Sequence, residues 1–358
     1  MPNNENSSSC IDIRENDLLE LSAQVLDTLL RDHTTGRNIF WATHDYEALG
    51  PEYDYHSEIL PELITGERGM VVRPRVLKSK ENQTDRAKDM AEVFTPSWVC
   101  NAQNNLVDEA WFGRKNVFNT EKSTVDVDPV DADLQSASAN KGICNPQHRW
   151  TTNPNKIVFP DGKTWKDYVR ATRMEITCGE APYLASRYDT TTGKPIPIEQ
   201  RIGLLDRKLR VVSENTETSG EWLDWTQIAY QNIYGFEWQG DNLLLAREAL
   251  LWTFIEYYQR KFGKAPLIRS INYIAYIISW NLWQMDGLKG VVPDSCHTEV
   301  EMMDLFSSEG KEKPCQGCTD GGYYHHNGTY CMLRDWGAKD PLTGENNRKI
   351  RFIDLIKK

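Results

Sequence analysis

Three apolar segments, each ending near an acidic residue and a turn, constrain the fold most. RMEITC (173–178) and IYGFEW (233–238) have the apolar, β-branched and aromatic content of buried strands, and NLWQMDGL (281–288) contains a third strand end. Helical periodicity predicts the intervening helices, at 199–214, 221–231, 241–261 and 271–283. Alternation of strands and helices favours an α/β layer with a parallel sheet.

The acidic residues of these segments are Glu175, Glu237 and Asp286. In nucleotide-binding sheets, a glycine turn after the first strand lets the ligand approach the backbone, and an acidic residue ending the second strand binds ribose hydroxyls. Gly179, before a predicted short helix, and Glu237 fit these positions, and Asp286 offers an acceptor for an adenine amino group. Each segment alone also fits an ordinary strand–turn–helix, but three in order favour nucleotide binding.

The rest of the chain divides by composition. The periodicity predicts helices at 16–32 and 57–67, whereas Pro74 limits MVVRPRV (70–76) to an edge strand. The predicted regions are an N-terminal helical region (1–112), a polar connection (113–170), the α/β core (171–295) and a cysteine-rich tail (296–358) that ends in strand-like IRFIDLI (350–356).

The tail contains the spacing of a metal site. Cys315 and Cys318 form a C-x-x-C pair, which is half of a tetrahedral zinc site, and Cys296 and Cys331 are the predicted third and fourth ligands. Four protein ligands would make the zinc structural. Free buried cysteines are the alternative, and three histidines are alternative ligands, namely His297, His325 and His326.

Charge and composition exclude several classes of protein. With 41 basic and 52 acidic residues, the net charge is −11, so the chain's own surface is not expected to be the main clamp on DNA phosphates. The sequence has neither a P-loop nor a G-x-S-x-G motif. It also has no apolar run of about 18 residues, so no membrane segment is expected. Eight cysteines in a large chain without an apolar leader favour a reducing cytoplasm, where clustered cysteines are metal ligands more often than disulfides.

Four segments, in order, resemble motifs of the N6-adenine DNA methyltransferases of type I and type IIG restriction–modification systems. AEVFTP (91–96) resembles their F-T-P element, and MEITCGEAPYL (174–184) resembles their cofactor motif, acid-P-x-C-G-x-G-x-F-L. IYGFEWQGDNLLLAREAL (233–250) resembles their I-Y-G-x-E/D element and A-R-x-x-L helix, and NLWQMDGL resembles N-I-x-x-x-D-x-L. From about residue 36 to 356 the chain is similar to bacterial proteins described as restriction endonuclease subunit M.

This resemblance implies a Rossmann-like methyltransferase core that binds S-adenosylmethionine. Thr95 and Pro96 would line the methionine end, Glu237 would bind the ribose and Asp286 the adenine ring. The residues implied for the cofactor site are Phe94, Thr95, Pro96, Glu175, Cys178, Gly179, Ala181, Tyr183, Glu237, Trp238 and Asp286. One departure is Ala181, which replaces the motif's second glycine and precedes Pro182, so that this loop is stiffer than the family's.

A second departure is that the family's catalytic N-P-P-Y/F tetrapeptide is absent from the 358 residues. In that tetrapeptide, polar groups accept hydrogen bonds from the target amine and the aromatic ring stacks on the flipped base. We therefore expect a split enzyme, in which a partner chain supplies N-P-P-Y and the DNA-recognition region and DNA is bound by the complex; no catalytic residue is assigned to this chain. The alternative is an inactive interaction or DNA-mimic subunit of a defence system.

Overall fold

The computed structural model describes residues 15–78, 83–84, 86, 95–122, 150–302, 310–340, 343–344 and 346–356. Its helices are α1 (Glu15–Leu21), α2 (Ala23–Leu30), α3 (Pro61–Ile64), α4 (Ser97–Phe112), α5 (Trp165–Arg170), α6 (Leu204–Asn215), α7 (Ser219–Gln231), α8 (Gly240–Phe262), α9 (Ile268–Asn281) and α10 (Gln316–Asp320). Its strands are β1 (Asn119–Glu121), β2 (Trp150–Thr152), β3 (Arg173–Glu175), β4 (Ile233–Glu237), β5 (Leu282–Gln284), β6 (Glu299–Met302), β7 (Gly310–Lys313), β8 (Met332–Lys339) and β9 (Asn346–Arg351).

A three-stranded parallel sheet, in the order β3-β4-β5, lies at the centre of the fold. Met174 of β3 is in register with Tyr234 of β4, and Phe236 is in register with Trp283 of β5. Helices α6 and α7 connect β3 to β4, and α8 and α9 connect β4 to β5. The prediction of a mixed helix-and-sheet fold is therefore confirmed.

The two faces of the sheet are covered by different layers. Ile233 and Leu282 belong to the large helical core, which also buries α8 along most of its length. On the opposite face, Tyr234, Phe236 and Trp283 pack with residues of the antiparallel β8–β9 hairpin. The sheet is buried in this way because parallel strands need apolar cover on both faces.

Several predicted elements differ in the structure. The helix predicted over 16–32 is interrupted by Ser22, whose extended backbone separates α1 from α2. Residues 70–76 form turns rather than an edge strand, since no described strand lies beside them and Pro74 leads into a 3-10 turn. The terminal strand ends at Arg351, and Phe352–Leu355 form a 3-10 turn.

The polar connection contains the antiparallel pair β1–β2 and helix α5, which begins with a capping box at Thr164. Residues 123–149 of the connection lie outside the described residues. No helix in the described part of the chain is both long and apolar enough to cross a membrane.

Helix α8 contains a carboxyl group, that of Glu248, which is fully buried and whose oxygens have no hydrogen-bond partner among the described residues. Burial, and then the nearby charge of Glu15, raise the pKa of Glu248 well above its usual value. Burial likewise raises the pKa of Glu15 to about 8. Because the folded chain binds these carboxyl protons more tightly than the unfolded chain does, the protons contribute to the stability of the fold below pH 4.5, the ordinary pKa. That stability is lost as the pH rises towards 8.

We therefore expect Glu248→Gln to raise the free energy of unfolding at pH 8 by about 1–3 kcal/mol, with a smaller gain at pH 5. Urea unfolding at both pH values measures this difference. Glu221→Gln, at an exposed position in the first turn of α7, serves as the control and should change both values by the same small amount. An equal gain for Glu248→Gln at both pH values would show that ionisation of this carboxyl does not limit stability.

Candidate cofactor site and metal centre

The loop that follows β3 is closed by the carboxylate of Glu175. Its oxygens accept hydrogen bonds from the backbone N–H groups of Tyr183, at 3.4 Å, and Leu184, at 3.2 Å. Glu175 is buried, and this burial raises the pKa of its carboxyl group well above the usual value. The first acidic residue of the pattern thus fixes the path of the loop over residues 176–184.

The same loop does not contain the predicted short helix. Thr177, Gly179 and Ala181 have φ angles of 47°, 52° and 59°. Alternating left-handed residues cannot continue a right-handed helix, so the chain turns repeatedly instead. The non-glycine Ala181 adopts this conformation at the position where the resemblance expected glycine.

Glu237, at the end of β4, lies directly beside this loop. Its Oε2 accepts a hydrogen bond of 2.7 Å from the Gly179 N–H, and Cys178 N–H donates to the Phe236 carbonyl at 2.9 Å. Cys178 is buried, and its side chain packs against Gly235, where a Cβ would stand 3.4 Å from the Cys178 Sγ. Burial raises the pKa of Glu237, and the charge of Glu237 contributes to the raised pKa of Glu175.

Thr95 and Pro96 lie next to the loop. Pro96 is the residue before α4, and the side chain of Thr95 is hydrogen-bonded to that of Tyr183. From within α4, Asn104 donates a hydrogen bond of 3.0 Å to the Tyr183 carbonyl. The structure therefore brings Thr95 and Pro96 next to the loop, which lies about 80 positions further along the chain. Phe94 lies outside the described residues.

Asp286 follows β5 and is buried within its own turn. Its Oδ1 accepts from the backbone N–H groups of Leu288, at 2.9 Å, and Lys289, at 3.2 Å, while Oδ2 pairs with the Lys289 ammonium group at 3.1 Å. Trp238, the residue after Glu237, donates its indole N–H to the Tyr55 hydroxyl at 2.9 Å. The three acidic side chains thus lie at or just after the carboxyl ends of three adjacent parallel strands, and each already accepts hydrogen bonds from nearby backbone N–H groups.

A buried ionic network next to Glu237 was not predicted. Asp241, in the first turn of α8, accepts hydrogen bonds from Lys78 Nζ at 2.9 Å, Arg86 Nη1 at 3.0 Å and the Tyr46 hydroxyl at 2.8 Å. Although burial opposes ionisation, the charges of Arg86 and Lys78 hold the pKa of Asp241 far below its usual range. This network attaches the N-terminal region to the start of α8. No sequence signal identifies it, because the partners are more than 150 residues from Asp241 along the chain.

Two cavities lie elsewhere in the fold. The larger, of about 890 Å³, is lined by residues of β1, β2, α6 and α8, including Trp150, Arg207 and Tyr257. The smaller, of about 280 Å³, is lined by residues that include Arg187, Pro195 and Glu256. Neither is lined by residues of the three sheet strands, so neither is the predicted cofactor site.

The tail brings four potential metal ligands together. The ligand atoms of Cys296, Cys315, Cys318 and His326 all lie within 4.8 Å of one another. The three thiol Sγ atoms are 3.6, 3.6 and 3.7 Å from His326 Nδ1. Tetrahedral zinc bonds to sulfur and nitrogen give a separation of about 3.6 Å between ligand atoms. This Cys₃His group could therefore bind a metal such as zinc.

Local backbone geometry builds the cluster. Cys315 stands immediately before α10, and its Sγ accepts a hydrogen bond of 3.4 Å from the Asn327 N–H. Desolvation raises the pKa of the Cys315 thiol, but backbone hydrogen bonds, of which that from Asn327 is the largest, lower it further, to about 6. The lower pKa favours the thiolate that a metal requires. A Cβ on Gly317 would lie 2.6 Å from His326 Nδ1, so glycine permits the imidazole to approach.

The predicted ligand Cys331 is not part of this cluster. Cys331 is fully buried, and its Sγ donates to the Gln284 carbonyl at 3.3 Å, so that it packs against the sheet instead. The fourth member of the cluster is His326, one of the alternatives that the sequence left open. His325 pairs with Asp320 at 2.9 Å, and His297 is exposed.

The Cys₃His cluster is attached to the turn that contains Asp286. Val292 N–H donates to the Thr329 carbonyl at 2.8 Å, and Cys331 N–H donates to the Gly290 carbonyl at 3.0 Å. Asp286 itself bridges to Val291 in an antiparallel β-bridge. The segment between His326 and Cys331 therefore holds the turn after β5 through backbone hydrogen bonds.

Comparison of the chain with protein-family models, with curated proteins and with solved structures gives no match. The geometry of the sheet ends and of the Cys₃His cluster is therefore the basis of any functional proposal.

Proposed function

We propose that this chain is the S-adenosylmethionine-binding half of a DNA adenine-N6 methyltransferase of a restriction–modification or phage-defence system. The observation that carries the proposal is the sheet edge, where Glu175, Glu237 and Asp286 lie at or just after the ends of adjacent parallel strands and Gly179 N–H donates to the Glu237 carboxylate. The order β5-β4-β3 is that of strands 3-2-1 in a doubly wound, Rossmann-like sheet, whose ligands bind outside the carboxyl ends of the strands.

In this proposal the cofactor supplies an electrophilic methyl group, and this chain binds the cofactor and orients that group. Glu237 would accept hydrogen bonds from the ribose hydroxyls; its Oε1 accepts a hydrogen bond of 3.3 Å from Gln239 N–H, and a carboxylate oxygen can accept more than one such bond. Asp286 accepts from the adenine amino group. The methionine end would lie against the 176–184 loop, whose path Glu175 fixes, and against Thr95, which contacts Tyr183 of that loop.

The groups that contact the target base come from outside these 358 residues, since N-P-P-Y/F does not occur in them. The net charge of −11 supports the same division, because the polypeptide that holds DNA phosphates needs a basic surface. Partner and chain would together form the active methyltransferase.

We further propose that the Cys₃His cluster holds a structural zinc ion. Three thiolates and one imidazole complete a tetrahedral site without an open position for substrate or water. The role of the ion is then to fold the tail and to hold the turn that contains Asp286.

A second candidate is a catalytically inactive interaction or DNA-mimic subunit. It is favoured by the acidic surface and by the hydrogen bonds that the three carboxylates already make within the chain. Such a protein would need no cofactor.

Isothermal titration calorimetry of the purified chain with S-adenosylmethionine separates the two candidates. We expect micromolar binding that Glu237→Gln weakens by at least about tenfold, because an amide replaces a ribose-binding carboxylate. The exposed-site variant Glu221→Gln should bind like the original chain. Absence of binding at millimolar cofactor, both alone and with a polypeptide carrying N-P-P-Y/F, would favour the second candidate.

A further inference from the structure

We propose that Arg334 and Lys349 of the β8–β9 hairpin, together with Arg31 in the turn after α2, form a binding site for a phosphate monoester. These three residues are called the cationic cluster below. The inference is independent of the proposed methyltransferase function, because the candidate cofactor site uses none of the three.

The cationic cluster lies at the opposite end of β5 from Asp286. Trp336 is two residues after Arg334 on β8, and its indole N–H donates to Asn281 Oδ1 at 2.8 Å. Asn281 ends α9 and immediately precedes β5, whereas Asp286 follows the other end of that strand. Neither of the two cavities is lined by residues of the cluster. The cluster is therefore a separate feature of the surface.

Two like charges stand directly opposite each other in the hairpin. Arg334 of β8 is in register with Lys349 of β9, so both side chains project from the same face. Like charges at opposed positions destabilise an antiparallel pair. The adjacent pair carries opposite charges, since Asp335 faces Arg348 with 3.7 Å between carboxylate and guanidinium atoms. An anion bound between Arg334 and Lys349 would remove the repulsion that the hairpin itself leaves.

Within the described part of the chain, no acceptor neutralises this pair. Neither Arg334 nor Lys349 forms an ion pair with a carboxylate or donates a side-chain hydrogen bond there. Both cations lie over the indole ring of Trp280, with Arg334 Cζ 4.6 Å and Lys349 Nζ 5.3 Å from the ring centroid. An aromatic face attracts a cation but does not replace an oxygen acceptor for its N–H groups. The buried Nε of Arg334 is one such unpaired donor.

A third cation, Arg31, belongs to the turn that lies beside β8. Thr34 of this turn accepts a hydrogen bond of 3.0 Å at Oγ1 from the Met332 N–H. Arg31 is exposed, and its guanidinium donates to the Gly36 carbonyl. It forms no ion pair with a carboxylate of the described residues. The cluster thus offers three cations whose charges are not paired.

The imidazole of His33 lies among these charges. It stacks on Trp280, with 4.0 Å between the ring centroids and 5° between the ring planes. Burial lowers the pKa of His33 to about 3, with further contributions from four nearby cations, namely Arg247, Arg334, Arg31 and Lys349. His33 is therefore neutral at pH 7 and adds no charge of its own. Arg247 is buried against backbone carbonyls, which leaves the three residues of the cluster for a ligand.

The number and type of these cations indicate the ligand. A phosphate monoester carries a charge of about −1.5 to −2 at pH 7, whereas the phosphodiester of a nucleic acid carries one negative charge. Three unpaired cations match the more highly charged group. The planar guanidinium of Arg334 can bind two phosphate oxygens together, and the Lys349 ammonium adds a point charge. Lys349 and Arg31 are exposed, so that a ligand can reach them.

Isothermal titration calorimetry with phenyl phosphate and with inorganic phosphate, in a chloride buffer, tests the site. We expect saturable binding of one ligand per chain, which Lys349→Met weakens by at least about tenfold because a hydrogen bond to a charged group is lost. Lys264→Met removes the same charge at another exposed position and should leave the affinity unchanged. Tighter binding of phenyl phosphate would identify a phosphorylated organic molecule as the ligand, and equal binding would identify free phosphate.

Three results would overturn the proposal. They are the absence of saturable binding at about 10 mM of either probe, equal losses for the variants at 349 and 264, and binding of the diester dimethyl phosphate as tightly as phenyl phosphate. Thermal unfolding gives an independent measurement, in which added phosphate should raise the Tm of the original chain more than that of Lys349→Met at equal ionic strength. Equal responses would show that contact with Trp280 is the whole role of Lys349.

Discussion

Replacing Cys315 with serine should reduce bound zinc from about one ion per chain to nearly none and lower the Tm by about 5–10 °C. The effect should be large because the tail has little apolar core of its own. Among the four potential ligands, Cys315 and His326 are buried, and the cluster joins segments around Cys296, Cys315 and His326 that are otherwise connected by hydrogen bonds such as that from Asn327 Nδ2 to the His297 carbonyl. Elemental analysis of the purified chain and a thermal unfolding scan measure the two quantities.

Cys331 and His326 provide the matched comparison. His326→Ala should lose zinc as Cys315→Ser does, whereas Cys331→Ala should retain it and lose only the small packing contribution of a buried thiol. The opposite result, in which Cys331→Ala loses zinc and His326→Ala retains it, would show that the original sequence prediction of the fourth ligand was correct.

Loss of the metal should also be detectable at the turn after β5. Because Gly290 and Val292 are hydrogen-bonded to the segment that follows His326, release of this segment removes support from the Asp286 turn. Hydrogen exchange in the Cys315→Ser chain should therefore become faster at Val292 N–H and Cys331 N–H, which donate in this connection. Exchange at the buried helix α8 should change less, since its contacts lie in the other core.

The regular elements of the core were predictable from the sequence. Periodicity is strong where a helix or strand is long and buried, and the predicted spans 233–238 and 241–261 correspond closely to β4 and α8. The cysteine pattern also predicted three of the four clustered potential metal ligands, namely Cys315 and Cys318 from their C-x-x-C spacing and Cys296 as a completing ligand. Local patterns were sufficient in these regions because a helix or strand that is buried on one face, or on all faces, has a corresponding pattern of apolar residues in the sequence.

The structure differs from the sequence predictions where distant contacts or local backbone geometry determine the conformation. Spacing cannot distinguish Cys331 from His326, because the choice depends on the hydrogen bond of Cys331 to Gln284 and on the close approach of Gly317 to the imidazole. The loop after Gly179 looked helical, but positive φ angles are not visible in a sequence unless glycine marks them, and Ala181 does not. The network of Asp241 depends on partners that only the fold brings together.

A buried arginine provides the largest expected effect on stability. Arg247 of α8 is fully buried and donates hydrogen bonds to the carbonyl groups of Leu282, Leu29, Arg31 and Ser279. Burial lowers the pKa of its guanidinium group to about 10, which still leaves it charged at neutral pH. One side chain thus joins α8 to the start of β5 and to the ends of α2 and α9.

Replacing Arg247 with methionine should lower the free energy of unfolding by about 3–5 kcal/mol. Methionine occupies a similar length but donates nothing, so several buried carbonyls lose their donor, each at a cost of about 1–3 kcal/mol before relaxation. Arg260 lies on the same helix and makes only an exposed ion pair with Glu199, so Arg260→Met should cost less than about 0.5 kcal/mol. Urea unfolding of both variants measures the difference. Similar losses for the two would mean that the carbonyls around Arg247 find other donors, and that the attachment of α8 to β5 depends on apolar packing alone.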